Sequence, residues 1–335
     1  MKGRARTISA DEAYRAALER YAAGDLQQAE ALSRAVLTAE PGHPAGGLLA
    51  ALLIENGRVD EGRTLLRALA KAPAHTITID YPVPQTPRHG ERPEPRLNAL
   101  LSSRADEFVA TLRSLCAHTE CLQRIPASPA PTTPGWVNPW LPALDAIALY
   151  GFIAARKPRR YLEIGSGHST RFARRAIEDH HLDCEVISID PHPRAEIDGL
   201  CDAVIRKPLE AIDFAIFDEL NEGDVVFLDS SHRCFMGSDV AVFFGELLPG
   251  LKKGVLLGIH DIFLPFDYPH AWVARYYSEQ YLLACYLLAR APFLDIVLPI
   301  HYLTRGADIR EARALCAALP GAPEPDGASF WLDIV

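Results

Sequence analysis

The sequence lacks long apolar runs, paired cysteines and an excess of basic residues, and each absence excludes a class of protein. No stretch of about 18 uncharged apolar residues occurs, so we expect no membrane span. With 34 Lys and Arg against 43 Asp and Glu, the chain has no basic excess to displace counterions from nucleic-acid phosphates. The seven cysteines form no Cys-x-x-Cys pair, which is typical of idle thiols in a reducing compartment.

We also expect no secretory leader, because the first six residues carry two arginines and a lysine with no apolar region behind them. We therefore expect a soluble, cytoplasmic protein that binds no nucleic acid. At 335 residues, of which 49% are apolar, the chain is long enough for two or three domains with proper cores.

The N-terminal part contains an internal repeat. Gly-Asp-Leu at Gly24 recurs as Gly-Arg-Val at Gly57, an offset of 33 residues that also pairs Ala29 with Gly62. Small residues followed by branched apolar ones predict helices that pack closely, at roughly 10–22, 26–38, 44–56 and 59–71. The pattern resembles a pair of tetratricopeptide repeats, whose period is near this value. Two such repeats are expected to be either a docking surface for a protein partner or a helical cap on the rest of the chain.

Proline-rich stretches divide the chain into three parts. Residues 74–96 and 126–134 are rich in proline, and the segment 98–124 between them predicts one amphipathic helix. The expected organisation is helical repeats over 1–73, a proline-rich linker with one long helix over 74–135, and a larger domain over 136–335.

The larger domain alternates strand and helix patterns. Its strands are predicted at 160–164, 185–190, 202–206, 224–229, 254–260, 293–299 and 328–334. Near-continuous apolar strands separated by helices indicate a parallel sheet that is covered on both faces. The expected fold is α/β, a Rossmann-like doubly wound, mostly parallel seven-stranded sheet that ends on an antiparallel strand.

A glycine turn follows the first predicted strand, in the segment Tyr-Leu-Glu-Ile-Gly-Ser-Gly-His-Ser-Thr that ends at Thr170. A dinucleotide fingerprint needs a third small residue where Thr170 stands, and the acid Glu163 would face a pyrophosphate. S-adenosylmethionine carries a sulfonium and an ammonium but no phosphate, so nearby carboxylates favour it. We expect this cofactor rather than a dinucleotide. Its predicted binding residues are Glu163, Gly165, Ser166, Gly167, Ser169, Asp190 and Asp229.

Two further motifs follow strands four and five, and the carboxyl ends of parallel strands share one edge of the sheet. Asp229 ends the fourth strand and precedes His232, while His260 and Asp261 end the fifth. A histidine with a pKa near 6.5 suits removal of a proton from an alcohol, so His232 is the predicted catalytic base, with Asp229 beside it. Asp229, His260 and Asp261 also form a candidate site for a divalent cation such as Mg²⁺.

Residues from about 136 to 335 resemble the class I methyltransferases grouped with bacterial sugar O-methyltransferases, including macrolide-sugar enzymes and relatives in polysaccharide clusters. The matching stretches are 161–170, 227–232 and 259–265. The resemblance implies that the Asp-x-x-His element at Asp229 and His232 supplies a metal ligand and a general base. The relatives place an acidic pair where this chain has His260 and Asp261.

The expected function is S-adenosylmethionine-dependent O-methylation of a sugar or glycan-related hydroxyl, in polysaccharide biosynthesis. Two alternatives use the same cofactor residues. One is N-methylation of an amino sugar or a protein, and the other is a cofactor-binding scaffold whose repeats recruit a biosynthetic partner.

Overall fold

The structure is a computed structural model that describes residues 9–40, 43–69, 86–193 and 196–335, and the chain divides into two units. The first unit contains the N-terminal repeats together with residues 137–139 and 269–275. The second contains residues 87–136, 140–268 and 276–335. Within the described residues, no helix combines the length and apolar character that a membrane span requires.

Four helices form the repeat pair, as the sequence predicts. They are α1 (Ala10–Ala22), α2 (Leu26–Ala39), α3 (Ala45–Glu55) and α4 (Val59–Leu69). The side chains of Ser9 and Asp25 cap α1 and α2 by accepting backbone N–H groups. Gly24 and Gly57 follow α1 and α3 with φ of 75° and 76°, a left-handed conformation that favours glycine. The predicted end of the fourth helix at 71 lies outside the described residues.

The repeat core depends on small residues at equivalent positions. Ala17, Ala29, Leu48 and Leu52 are buried together. At Gly62, the equivalent of Ala29, an added Cβ would lie 2.7 Å from Cγ1 of Ile54. Close packing of the helices therefore excludes a larger side chain at this position.

The single helix predicted over 98–124 is wrong. The structure has α5 (Pro95–Ser102), α6 (Ala105–Leu115), a 3₁₀ turn at Cys116–His118 and α7 (Thr119–Gln123). The hydroxyls of Ser102 and Ser103 donate to the carbonyls of Ala99 and Leu100, which offers the backbone an alternative to a continued helix. The buried apolar residues of α5 and α6 belong to the core of the second unit, so this part of the predicted linker groups with the sheet.

A seven-stranded sheet organises the second unit, as predicted. Its strands are β1 (Arg160–Ile164), β2 (Glu185–Ile189), β3 (Ala203–Ile205), β4 (Val225–Leu228), β5 (Leu256–Ile259), β6 (Leu294–Pro299) and β7 (Phe330–Ile334). Their order is β3-β2-β1-β4-β5-β7-β6, and β7 pairs antiparallel with both neighbours. Strands β4 and β5 are buried throughout, which is why their sequences are apolar without alternation.

Helices cover the sheet and position the rim loops. They are α8 (Ala143–Arg156), α9 (His168–Asp179), α10 (Ala215–Asp218), α11 (Asp239–Val242), α12 (Glu279–Leu288), α13 (Ile300–Thr304) and α14 (Arg310–Ala318). A 3₁₀ helix at His270–Arg275 and a break in helical structure precede α12. The parallel strands β1, β2, β4 and β5 all end at the same edge, where the predicted site residues lie.

Replacing Gly62 with alanine tests the close packing of the repeats. We expect Gly62→Ala to destabilise the protein by about 1–3 kcal/mol, because the new methyl group overlaps Ile54 and the carbonyl oxygen of Ala50. Gly47→Ala is the control: it adds a methyl group in open space on α3 and should be neutral or stabilising by about 0.5–1 kcal/mol. Equal effects of both variants on chemical denaturation would contradict this packing.

Candidate active site

Gly165 begins the turn after β1 and lies in close contact with the backbone of Asp229, which follows β4. Its φ is 82°, and an added Cβ would lie 1.8 Å from the carbonyl oxygen of Asp229. Gly165 N–H donates to Ile189 O at 3.0 Å, and Asp229 N–H donates to Ile164 O at 2.8 Å. Both the left-handed backbone and the close approach therefore require glycine.

Thr170 occupies the position where a dinucleotide fingerprint has a small residue, and its side chain stabilises the turn. Its hydroxyl accepts the N–H of Gly167 at 3.0 Å at the start of α9 and donates to Glu163. An added Cβ at Gly167 would meet no described atom within 4 Å. Packing within the protein therefore does not explain the second glycine of the turn.

Glu163 lies buried beneath this turn. It accepts hydrogen bonds from Tyr161 Oη at 2.9 Å, Ser169 Oγ at 3.0 Å and Thr170. Burial raises the pKa of Glu163 to about 7, although the three hydroxyl donors act in the opposite direction. The hydrogen bond between Ser169 and Glu163 thus lies beneath the turn. With a pKa of about 7, Glu163 carries less than a full negative charge at neutral pH.

A cavity of about 360 Å³ opens beside the turn, and four of the predicted residues line it: Gly165, Ser166, Asp190 and Asp229. The described lining does not include Glu163, Gly167 or Ser169. The carboxylate of Asp190 is fixed by backbone donors, Ser166 N–H at 2.8 Å and His192 N–H at 2.7 Å. Lining residues that the sequence did not indicate include His192, Leu209, Glu210, Ser238 and Asp239.

The charge of this lining is one-sided. Four acids, Asp190, Glu210, Asp229 and Asp239, face the cavity, and no Lys or Arg is among its described residues. A pyrophosphate would be repelled here, whereas a ligand with positive charge would be attracted.

The two predicted rim histidines meet at Asp229. His232 is buried, and its Nε2 lies 3.2 Å from Oδ1 of Asp229 and 3.4 Å from Oδ2 of Asp261. Its Nδ1 lies 2.8 Å from Oε2 of Glu279. Burial alone would lower the pKa of His232, but the hydrogen bonds with Asp229 and Glu279 and the charge of Asp261 raise it well above its usual value.

His260 approaches the same two aspartates from the other side. Its Nε2 lies 3.1 Å from Oδ2 of the buried Asp145, whose carboxylate also accepts the backbone N–H groups of Ala328 and Ser329. Its Nδ1 lies 3.4 Å from Oδ1 of Asp229 and from Oδ1 of Asp261, and it has no hydrogen-bond partner among the described residues. One ligand atom each from Asp229, His260 and Asp261 lie within 4.8 Å of one another.

Backbone strain marks the same two loops. His232 and Asp261 are not glycines, yet their φ values are 59° and 56°. Such a conformation costs on the order of 1 kcal/mol and persists only where the surroundings impose it, which is common at functional sites. The structure thus brings together all four predicted rim residues, and it adds Glu279 and Asp145, which the sequence did not indicate.

Models of known protein families match a part of each unit of the chain. Residues 162–262 match the methyltransferase domain family, and residues 20–76 match the tetratricopeptide repeat family. No curated protein sequence matches the chain.

Two of the similar solved structures are methyltransferases of low sequence identity to this chain. An SAH-bound methyltransferase of Podospora anserina, PaMTH1, is 16% identical over 71% of this chain and 97% of its own, with a TM-score of 0.37. An O-methyltransferase from Bacillus cereus in complex with SAH is 15% identical over 72% of this chain and 99% of its own, with a TM-score of 0.34.

Replacing Gly165 with alanine tests the turn. We expect Gly165→Ala to cost roughly 3 kcal/mol or more, because the methyl group meets a backbone oxygen and φ is left-handed. For a domain of this size that lowers Tm by about 6–12 °C. Gly245→Ala, in open space within the helical segment Phe243–Leu247, should leave Tm unchanged or slightly raised. A Gly165→Ala variant with the Tm of the control would refute the close approach.

Proposed function

We propose that this chain, which carries a class I S-adenosylmethionine-dependent methyltransferase domain behind a tetratricopeptide-like repeat pair, methylates a hydroxyl of a sugar or glycan-related acceptor. The observation that carries the proposal is the position of Asp229, which lines the acidic cavity and also contacts both rim histidines. A cofactor in the cavity would therefore lie beside groups that can accept or donate a proton. A cytoplasmic step in polysaccharide biosynthesis is the setting that we infer.

Cofactor binding is assigned to the glycine turn and its neighbours. Asp190, fixed by two backbone donors, presents the free lone pairs of its carboxylate to ribose hydroxyls. Gly165 and Ser166 provide the turn, and Asp229 and the other acids of the lining suit the sulfonium and ammonium groups. We assign Glu163, Gly167 and Ser169 to shaping the turn rather than to direct contact with the cofactor.

Methyl transfer needs a positioned acceptor and a place for its proton. The acceptor oxygen attacks the methyl carbon in line, the sulfur leaves as a neutral thioether, and the hydroxyl proton passes to a base. We assign that base to Nε2 of His232. The neighbouring acids raise the pKa of His232 in the ligand-free protein, and positive charge beside Asp229 and Asp261 would lower it and favour the neutral imidazole that accepts a proton.

The rim residues fit a divalent cation that would supply such charge. His260 directs Nε2 at Asp145, which leaves its unpartnered Nδ1 facing two carboxylate oxygens, and this is the usual arrangement of a carboxylate-supported histidine ligand. Asp229, His260 and Asp261 would hold a cation such as Mg²⁺ or Mn²⁺. When bound, the cation would orient and acidify the acceptor hydroxyl.

A partner-binding role of the repeats is a second proposal, and it rests on a groove within the repeat unit. The groove has a volume of about 740 Å³ and is lined by leucines and charged residues: Leu37, Leu49, Leu53, Leu65, Arg34 and Glu61. It suits a protein segment with apolar side chains. A scaffold without catalysis is disfavoured by the strained backbone of His232 and Asp261.

Asp190→Ala should weaken S-adenosylmethionine binding about 10- to 100-fold in isothermal titration, because two charge-assisted hydrogen bonds to the ribose are lost. Asp202→Asn is the matched control, since Asp202 also accepts a backbone N–H beside β2, that of Val186, but does not line the cavity. Equal affinities of the two variants would contradict the assignment of Asp190.

His232→Ala should retain cofactor affinity within about twofold and lose about 10²- to 10⁴-fold in turnover, the usual contribution of a general base. Turnover is measured by methyl transfer to candidate sugar acceptors, with product analysis to separate O- from N-methylation. His180→Ala, at the end of α9, is the control histidine variant. Turnover near the wild-type level in His232→Ala would remove this residue from the reaction.

Mn²⁺ should bind the wild-type protein in electron paramagnetic resonance titrations, and Asp261→Asn should weaken that binding at least about tenfold, because an anionic ligand is lost. Asp267→Asn is the control, since Asp267 lies in the same loop but accepts from Tyr268 N–H and Tyr281. Absence of bound Mn²⁺ at millimolar concentration, or full activity after exhaustive chelation, would refute the cation site.

A further inference from the structure

Residues 278–280, at the start of α12, are hydrogen-bonded to the loop that carries His232. The N–H groups of Ser278 and Glu279 donate to the carbonyl oxygen of His232 at 2.8 Å and 3.2 Å. Ser278 Oγ accepts the N–H of Cys234 at 2.8 Å. These bonds hold the backbone of His232 in its left-handed conformation.

The next residue of this segment bonds the loop after β5. Gln280 is fully buried, and its Oε1 accepts the N–H of Phe263 at 2.9 Å. Its own N–H donates to Tyr268 Oη at 3.1 Å. The start of α12 is therefore bonded both to the loop with His232 and to the loop that follows Asp261.

The Glu279 side chain lies between these backbone contacts and touches the imidazole directly. It is 0% exposed, its Oε2 lies 2.8 Å from Nδ1 of His232, and its Oε1 has no hydrogen-bond partner among the described residues. Burial of a carboxylate with one bare oxygen is costly, and an apolar side chain of similar volume would avoid that cost. Packing therefore does not explain an acid at this position.

The contacts of His232 are of two kinds: ring stacking, which confines the imidazole, and contacts of its nitrogens with carboxylates, which set its orientation. The Tyr277 ring lies against the imidazole face, with centroids 4.7 Å apart and planes at 39°. Stacking of this kind is equally compatible with the imidazole turned by 180° about its Cβ–Cγ bond, which would exchange Nδ1 with Cδ2 and Nε2 with Cε1. The contact of Nδ1 with Glu279 at 2.8 Å is the shortest of those that select one of the two orientations, and the contacts of Nε2 with Asp229 and Asp261 at 3.2 Å and 3.4 Å favour the same one.

We propose that Glu279 is a positioning residue of the methyl-transfer reaction: it accepts the Nδ1–H of His232 and thereby directs Nε2 toward Asp229 and Asp261, where the acceptor proton is received. The proposal rests on the assigned role of His232 as the base. It follows the common arrangement in which a catalytic histidine is oriented by a third group.

Glu279→Gln is the test, because it keeps the side-chain volume and removes the charge. We expect kcat to fall about 10- to 100-fold, the usual effect of losing an orienting partner, while KM and the affinity for S-adenosylmethionine stay within about twofold. Asp179→Asn is the control, since it neutralises an acid bonded to Tyr150 and Arg175 at the end of α9. It should leave kcat unchanged.

The double variant His232→Ala with Glu279→Gln separates positioning from an independent role. If Glu279 acts through the imidazole, the double variant should have the kcat of His232→Ala alone. Multiplied losses would overturn the proposal, as would a kcat near the wild-type level in Glu279→Gln beside a large loss in His232→Ala. Wild-type turnover in His232→Ala would instead overturn the base assignment and, with it, this proposal.

A spectroscopic measurement tests the orientation without catalysis. In protein with ¹⁵N-labelled histidine, the His232 signals are identified by their absence in His232→Ala, and Nδ1 should carry a slowly exchanging proton. That proton signal should shift upfield or disappear in Glu279→Gln and disappear in Glu279→Ala, which serves if the first variant folds poorly. An unchanged Nδ1 proton signal in both variants would overturn the proposal.

Discussion

The contact between Asp229 and the glycine turn is the constraint on which the site depends. The carbonyl oxygen of Asp229 occupies the space that a Cβ at Gly165 would need, so the ends of β1 and β4 lie closer together than side chains allow. The same residue turns its carboxylate toward His232 and His260. One close backbone approach thus places the cavity next to the groups that can hold a proton or a cation.

The charge balance of the rim is the physical basis of the proposed cation site. Two imidazoles are surrounded by four acids: Asp145, Asp229, Asp261 and Glu279. Even with both imidazoles protonated, these six side chains carry more negative than positive charge. Desolvation makes such an excess costly, because buried charges need compensation. The acidic lining of the cavity adds to this excess of negative charge. A bound ligand or ion with positive charge would therefore offset it.

The sequence is informative wherever a structural rule acts over a short distance along the chain. Continuous apolar segments predicted the strands, the offset of 33 predicted the repeats, and the rule that parallel strands end at one edge brought His232 and His260 together. Thr170 departs from the pattern of a dinucleotide turn, and its hydroxyl bonds both Gly167 and Glu163. The Glu163 side chain is buried and does not line the cavity. Its orientation depends on hydrogen bonds from three hydroxyls, so it was not predictable from the motif.

Contacts over long sequence separations could not be read from the chain. Glu279 is 47 residues from His232, and Asp145 is 115 residues from His260, so neither pair leaves a local pattern. An acid at the start of an apolar helix looks like an ordinary favourable charge near a helix N-terminus. The break at Ser102 and Ser103 is not predictable for a related reason, since the apolar period continues across it and the hydroxyl contacts with Ala99 and Leu100 leave that period unchanged.

Calorimetric titration of the wild-type protein with S-adenosylmethionine, and separately with NAD, tests the central claim most directly. The acidic cavity beside Gly165 predicts saturable binding of S-adenosylmethionine with a Kd in the micromolar range, about -8 kcal/mol, and no binding of NAD at the same concentrations. Absence of heat with S-adenosylmethionine, or tighter binding of NAD, would contradict the account.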